Sequence, residues 1–413
     1  MKKALTLFTL AAVLGLAGCD FYGVTTTTAA PAEPETVVIA TVDELVAMNN
    51  EDHYVLSADL DLGGLSWIPV GTPDDPFAGG FDGAGHTISN YSITAENGGF
   101  VGFFGSVTGD LENLTLADFA IDVAYDGLLY VGGLAAHTTG SIADCAVYGD
   151  IVAVNTSSSS YVGLLAGFAA SYTTATMTTS EFVASTISGA YAEGSVDAVA
   201  DHFLSAGGLV GRTANVVLSD CGARVSVVGT ATVYRAYVGG LVGHGFGGLL
   251  KAHADTLEDV TFETVRCYAD TALTVTAAGT MASAGGLYGY LQDGFVEDCF
   301  ANATIVVGGS AVDVGGLAGE LWYGSASTSV FRVGLTVAPS ADLSLRFGGI
   351  AAFVQSEVVL TDCFRMTQSL FAATDPHGVE ASADQLSSAQ WYQDGLGWSA
   401  ETFDIATVVG ILS

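Results

Sequence analysis

Three observations predict an all-β chain folded as a parallel β-helix, a solenoid of about eight coils. A Gly-Gly-Leu motif recurs, short alternating β-branched runs separate its copies, and the cysteines keep a nearly constant distance from it. The motif is fullest in Val238-Gly-Gly-Leu-Val-Gly243, and its large apolar residue marks the register at Phe103, Leu134, Leu165, Leu209, Leu241, Leu287, Leu317 and Ile350. The steps between marks are 31, 31, 44, 32, 46, 30 and 33 residues, so two of them carry insertions of about a dozen residues. A fixed period in this range means stacked units, each covering its neighbour's apolar face.

Each motif leads into a run such as Ser141 to Cys145, Val216 to Cys221 or Phe295 to Cys299, and then into another such as Ala223 to Val228 or Thr304 to Val307. These runs are short, alternating and punctuated by Gly, Asn and Asp, which reads as three strands per coil and no helix. Eight coils rising by about 4.8 Å give a core of about 40 Å. The cysteines follow their register residue by 11 (Cys145), 12 (Cys221), 12 (Cys299) and 13 positions (Cys363), with Cys267 at 26 across an insertion. Ala190 and Val330 are expected in the same slot of the coils that lack cysteine. The slot reads as a ladder of small polarisable side chains. A disulfide between neighbouring rungs, such as Cys221 with Cys267, is the alternative that secretion permits, but side-by-side Cβ vectors would strain it.

In chain order, residues 1–19 combine Lys2 and Lys3, an apolar stretch and Leu16-Ala-Gly-Cys19, the form of a secretory signal. The last four residues resemble the bacterial lipobox, which implies a lipid on Cys19 and a mature chain anchored to a membrane without crossing it, in an extracytoplasmic location. Asp20 after it resembles an inner-membrane retention cue for a cell with two membranes. Residues 20–36, with Thr25 to Thr28, Pro31 and Pro34, read as a flexible tether. Residues 37–97 are expected to hold the N-terminal cap and the first coil. Thr41-Val-Asp-Glu44 has the form of a capping box and starts a short helix that covers the open end of the solenoid.

Residues 98–370 carry the repeats. The run Phe81-Asp-Gly-x-Gly-His-Thr-Ile88, followed by Gly-Gly-Leu-x-Gly copies, resembles the GLUG-repeat surface proteins of bacteria over roughly residues 40–405. The resemblance implies a right-handed β-helix and an adhesin-like surface role; the His-Glu-x-x-His metallopeptidase motif of some relatives is absent. Read without the family, Gly83 and Gly85 supply positive φ, Asp82 bonds its own turn, and His86 is a turn histidine bonded to backbone.

The insertions fall near 170–184 and 245–259, and insertions in a solenoid become side loops. The second is the candidate binding loop, for a ligand or metal, with His244, Lys251, His253, Asp255 and Glu258 close in sequence; a solvated loop is the plainer reading. Residues 371–413 close the chain with Gln390 to Trp398 and Phe403, an aromatic segment expected to cap the last coil or, alternatively, to form a sugar platform.

With 44 acidic against 10 basic residues, a formal charge of −34 excludes nucleic acid as a partner and repels polyuronates. A lyase on acidic polysaccharides lacks its basic cluster, and a hydrolase needs converging carboxylates. Asp144, Asp220, Asp298 and Asp362 instead recur just before the cysteine slot, which marks a turn or ladder role. No cofactor is expected beyond weakly held Ca²⁺. The expected function is that of a non-enzymatic, lipid-anchored surface rod that adheres or binds a glycan or surface protein through side loops. A polysaccharide hydrolase or lyase is the alternative.

Overall fold

In the computed structural model the described residues are 35–95, 99–175, 180–183, 185–247, 262–338, 344–355, 357–367, 377–399, 403 and 405–412. They build a parallel β-helix. Strands of successive coils pair in parallel register, as Leu129–Gly132 does with Ser160–Gly163, and the exception among the described residues is the antiparallel pair 172–175 with 180–183.

Each coil visits three sheets. Sheet 1 holds the eight strands that run into the Gly-Gly-Leu motif, from Phe100–Val101 to Ser344–Gly348. Sheet 2 holds the strands that leave it; most of its rungs are broken in two, as in Ala135–Thr138 and Ile142–Ala143, while Tyr288–Glu297 runs through. Sheet 3 has eleven strands, most of them long, Thr115–Tyr125 among them. It exceeds the eight coils read from the motif because Leu60–Ser66, Thr87–Ala95 and Val379–Glu380 add rungs that carry no Gly-Gly-Leu. Eleven rungs extend this face to about 50 Å.

The motif is a corner. All eight register residues are fully buried, and their backbones form a ladder, Leu209 N–H donating to Leu241 O and Leu241 N–H to Leu287 O, both at 2.9 Å. The two glycines are there for close approach: a Cβ on Gly239 would lie 1.9 Å from Val242 O, and one on Gly240 2.1 Å from Gly286 O. Chain can therefore turn between sheets 1 and 2 with no side chain inside the bend.

The cysteine slot is a second corner. The strand pairings stack Leu114, Cys145, Ala190, Cys221, Cys267 and Cys299 in one inward column. The next rung is Ser329, not Val330, because Phe300 pairs with Val330 and Val330 with Phe364. Val330 points to the outer face, and the hydroxyl of Ser329 replaces the thiol: it donates to Ser327 O at 2.7 Å and accepts from Cys299 N–H at 3.1 Å. All five described cysteines are free thiols.

One residue ahead of each slot the backbone is left-handed, at Asn113, Asp144, Gly189, Asp220, Arg266, Asp298, Thr328 and Asp362. Asp and Asn tolerate that conformation, which gives the recurring aspartates a turn role.

At the N-terminal end Thr36–Ile39 is a strand paired with His53–Leu56, so Thr36, the last residue of the stretch read as tether, belongs to the rod. Helix α1 (Val42–Val46) has its capping box and buries Leu45. The first coils are filled by rings: Trp67 stacks on Phe103 at 4.4 Å, and Phe77 and Phe81 pack on Phe104.

The C-terminal segment differs from the expected end cap. Helices α2 (Ala383–Leu386), α3 (Ala389–Leu396) and α4 (Ile405–Leu412) bury Tyr392, Trp398, Val408 and Leu412 against Phe300 and Val330, which lie on the outer face of sheet 3. They cover a flank, because every second residue of a sheet 3 strand points away from the core.

Candidate functional site

Outward-facing side chains of sheets 1 and 2 meet. Tyr130 touches His137 with ring centroids 6.2 Å apart, Tyr161 touches Phe168 at 6.0 Å, and Tyr237 touches His244 at 5.1 Å. Each pair straddles one Gly-Gly-Leu turn, with its members four residues before and three after the register residue. Neighbours such as Val131, Val162 and Val238 are fully buried, so strand alternation aims these rings away from the core. Outward groups on two faces touch only where those faces enclose a re-entrant angle. The glycine corner thus makes a concave seam along the rod.

The same two offsets give the seam's composition, coil by coil. Sheet 1 contributes Tyr130, Tyr161, Ser205, Tyr237, Ser283, Asp313 and Arg346. Sheet 2 contributes His137, Phe168, Arg212, His244, Tyr290, Glu320 and Phe353. The early coils are aromatic, with Tyr130 on Phe100 at 4.6 Å and on Tyr161 at 5.2 Å. Arg212 lies over the rings of Tyr161 and Phe168, 5.2 and 5.5 Å from their centroids, and donates to the Tyr161 hydroxyl at 3.1 Å.

The later coils add charge. Asp313 and Glu320 are 2% and 3% exposed, the two buried carboxylates among the described residues. Arg346 grips Asp313 through Nε at 2.6 Å and through Nη2. Glu320 accepts from Ser283 Oγ at 2.6 Å and from Trp322 Nε1 at 3.1 Å. Burial raises the carboxyl pKa of Asp313 against the pull of Arg346.

Both histidines of the seam are held neutral. Burial, then the nearby charge of Arg212, takes His244 down to about 3, and burial lowers His137. Burial raises the hydroxyls of Tyr130, Tyr237 and Tyr290, so they remain donors. Chemically, the seam offers partly exposed ring faces, neutral hydrogen-bonding groups and a few arginines.

The residues singled out from sequence distribute as follows. His244 leaves the candidate loop: it sits in strand Val242–Phe246, between Tyr237 and Tyr290. Lys251, His253, Asp255 and Glu258 lie outside the described residues, as does Cys19. Both insertions depart after the first half of a sheet 2 rung, behind Ala166–Ala170 and Val242–Phe246, at the far end of the strands that line the seam. His86 pairs through its ring with Asp59 at 3.1 Å and not with backbone. Asp82 does bond its turn, accepting from Ala84 N–H at 2.8 Å. In that turn the positive φ falls on Ala84 and Gly85, and Gly83 is needed for its approach to Asn113 O. Trp398 and Tyr392 are buried, which removes them from any sugar platform.

A second, open cavity of about 540 Å³ lies on sheet 2 near the N-terminal end, lined by His53, Asp82, Asp110 and Glu112 among others. Asp82 and Asp110 already accept protein N–H groups there. No group of three His, Cys, Asp or Glu that could hold a metal occurs among the described residues, and no helix there is long and apolar enough to cross a membrane.

The sequence reading missed the seam because its members are spread over seven coils. The missing signal was the pair of fixed offsets from the register residue.

No family model matches the chain. A stretch of 123 residues, 26% of this chain, is 35% identical to Halomucin of Haloquadratum walsbyi; the match spans 1% of that protein's length. Among solved structures, a protein described as a candidate immunoglobulin A1 protease from Bacteroides ovatus aligns over 90% of this chain and 89% of its own, with a TM-score of 0.43 and 17% identity.

Proposed function

We propose that the chain is a non-enzymatic surface rod of the GLUG-repeat type, anchored outside the cytoplasm by a lipid on Cys19, which binds a glycan or a surface protein. The anchor rests on Leu16-Ala-Gly-Cys19, and the surface role on the Phe81 to Ile88 run and the acidic composition. The observation that carries the binding role is the seam between sheets 1 and 2, whose early coils stack the partly exposed rings of Phe100, Tyr130, Tyr161 and Phe168. Ring faces presented on a rigid scaffold bind without being reshaped, which lowers the ordering cost of association. Both insertions depart from the far end of the same strands.

A polysaccharide-cleaving enzyme is the second reading, and the pairing of Asp313 with Glu320 in one coil favours it. Against it, each carboxylate already has two hydrogen bonds from protein groups. A glycan array run in parallel with a reducing-sugar assay on the mature chain separates the two. Binding without release of reducing ends is the expected outcome, and turnover of any polysaccharide that is lost in Glu320→Gln would replace the rod reading with the enzyme one.

A further inference from the structure

Sheet 1 ends with Ser344–Gly348, and the strand beneath it is Ala311–Gly315. Their parallel register sets Arg346 against Asp313. The two side chains sit in unlike surroundings. That of Asp313 is 3% exposed and that of Arg346 is 49% exposed, yet Arg346 grips both carboxylate oxygens, through Nε at 2.6 Å and through Nη2. Its guanidinium also lies over the ring of Phe353, 5.3 Å from the centroid. A planar fork that reaches from the last rung onto a carboxylate of the rung beneath acts as a strap. What it fastens is costly, because a buried carboxylate stays charged at an acceptable cost only while its partner is in place. Arg266 and Asp220 give the contrast: the same two-bond grip joins side chains that are 34% and 48% exposed.

We infer that Arg346 is a releasable strap, closed on Asp313 at neutral pH and freed in mild acid, which gives the C-terminal end of the seam a free guanidinium while the rod stays folded. The charges that act on Asp313 are those of Arg346, Glu320 and Arg235. Burial raises its carboxyl pKa against the hydrogen bonds and charge of Arg346; the Glu320 charge adds to the rise, and that of Arg235 opposes it. Glu320 is bonded to Ser283 and Trp322 and acts on Arg346 through its charge. The hydroxyls of Tyr237 and Tyr290, raised by burial, stay neutral throughout. The folded pKa of Asp313 lies above the unfolded value, so the folded chain takes up this proton first and the uptake costs the rod no stability. Acid therefore opens the strap locally, and the backbone ladder between the two strands remains. The freed group stands by Phe353 and Trp322, whose rings are 4.8 Å apart, as an acid-dependent cationic spot on an acidic protein. This holds whether or not the seam binds a glycan.

The test is isotope labelling of arginine in the mature chain, with the side-chain Nε–H resonances followed by NMR from neutral pH into the acid range. Arg346→Lys assigns the resonance of Arg346 by its disappearance, and Arg266 serves as the internal reference. The Arg346 resonance is expected to leave its ion-paired position at a higher pH than that of Arg266, with the circular dichroism spectrum unchanged. In Asp313→Asn it should stand at the released position already at neutral pH and move no further on acidification. Release of both arginines at the same pH overturns the strap, and so does movement of Arg346 only where the circular dichroism reports unfolding. A pH response that persists in Asp313→Asn would assign the titration to Glu320 and overturn it as well. Should that variant fail to fold, the wild-type comparison of Arg346 with Arg266 decides alone.

Discussion

Arg266 stands between two aspartates. Along the left-handed column that precedes the cysteine slot the order is Asn113, Asp144, Gly189, Asp220, Arg266, Asp298, Thr328, Asp362, and no two acids are neighbours. Rungs about 4.8 Å apart would otherwise stack like charges at the distance where they repel most. Arg266 makes a bidentate pair with Asp220 at 2.6 Å for both bonds, and Thr328 donates to Asp298 at 2.6 Å. Arg266→Asp would place three carboxylates in a row. The expected cost is about 1–2 kcal/mol in low salt, falling as ionic strength approaches 1 M, read as the difference in denaturant midpoint at the two salt levels. An equal loss at both would mean the column's alternation has no electrostatic role.

His244 gives the residue-scale pH effect. Its folded pKa near 3 lies below the unfolded value of about 6.5, so the unfolded chain takes up the proton first. The stability it contributes is present above about pH 6.5 and is lost as pH falls toward 3, by up to about 1.4 kcal/mol per pH unit. Arg212, Tyr237 and Tyr290 face the ring, and of these Arg212 adds to the downward shift. Asp313, with its raised pKa, works in the opposite direction but is common to both proteins in a comparison. Unfolding midpoints measured from pH 7 to pH 4 should therefore fall more steeply in wild type than in His244→Gln; parallel curves would contradict the buried placement.

At the scale of the element, two corners and one flank account for most of the fold. Gly-Gly-Leu was legible because a corner that admits no Cβ permits little besides glycine, and the one inward residue after it must fill the core in every coil. The cysteine column was legible for the same reason, and its one misassignment, Val330 for Ser329, came from matching hydrophobicity where the slot needs a small group with a donor and an acceptor. The extra rungs at the N-terminal end escaped because aromatic packing around Phe103 and Phe104 closes them without the motif. The C-terminal helices were read as an end plug because their aromatics say only that they bury something; what they bury, Phe300 and Val330, lies on alternate positions of distant strands.

That placement makes the flank a separate cooperative unit. In a solenoid each part is stabilised by its neighbours alone, and Trp398, fully packed against Tyr392 and bonded to Asp298 at 3.1 Å, joins α3 and α4 to sheet 3. Trp398→Ala should cost about 3–5 kcal/mol within that unit and release it in an early calorimetric transition, with exposed Phe300 and Val330 promoting concentration-dependent association. A single transition shifted as a whole would show that the flank and rod unfold together.

For the whole molecule, the charge of −34 governs the long-range electrostatics. Self-repulsion opposes the compact state, so the melting point should rise with salt over the range in which the Debye length shrinks from about 30 to about 3 Å. A rod insensitive to salt would require its acids to be paired far beyond the few ion pairs described.

Hydrogen exchange of the mature chain with and without its bound glycan tests the central claim most directly. Slowed exchange confined to 130–137, 161–168, 205–212 and 237–244, the strands on either side of the glycine corner, is the predicted result. Protection confined to 383–412 or to the two insertions, with these strands unchanged, would contradict it.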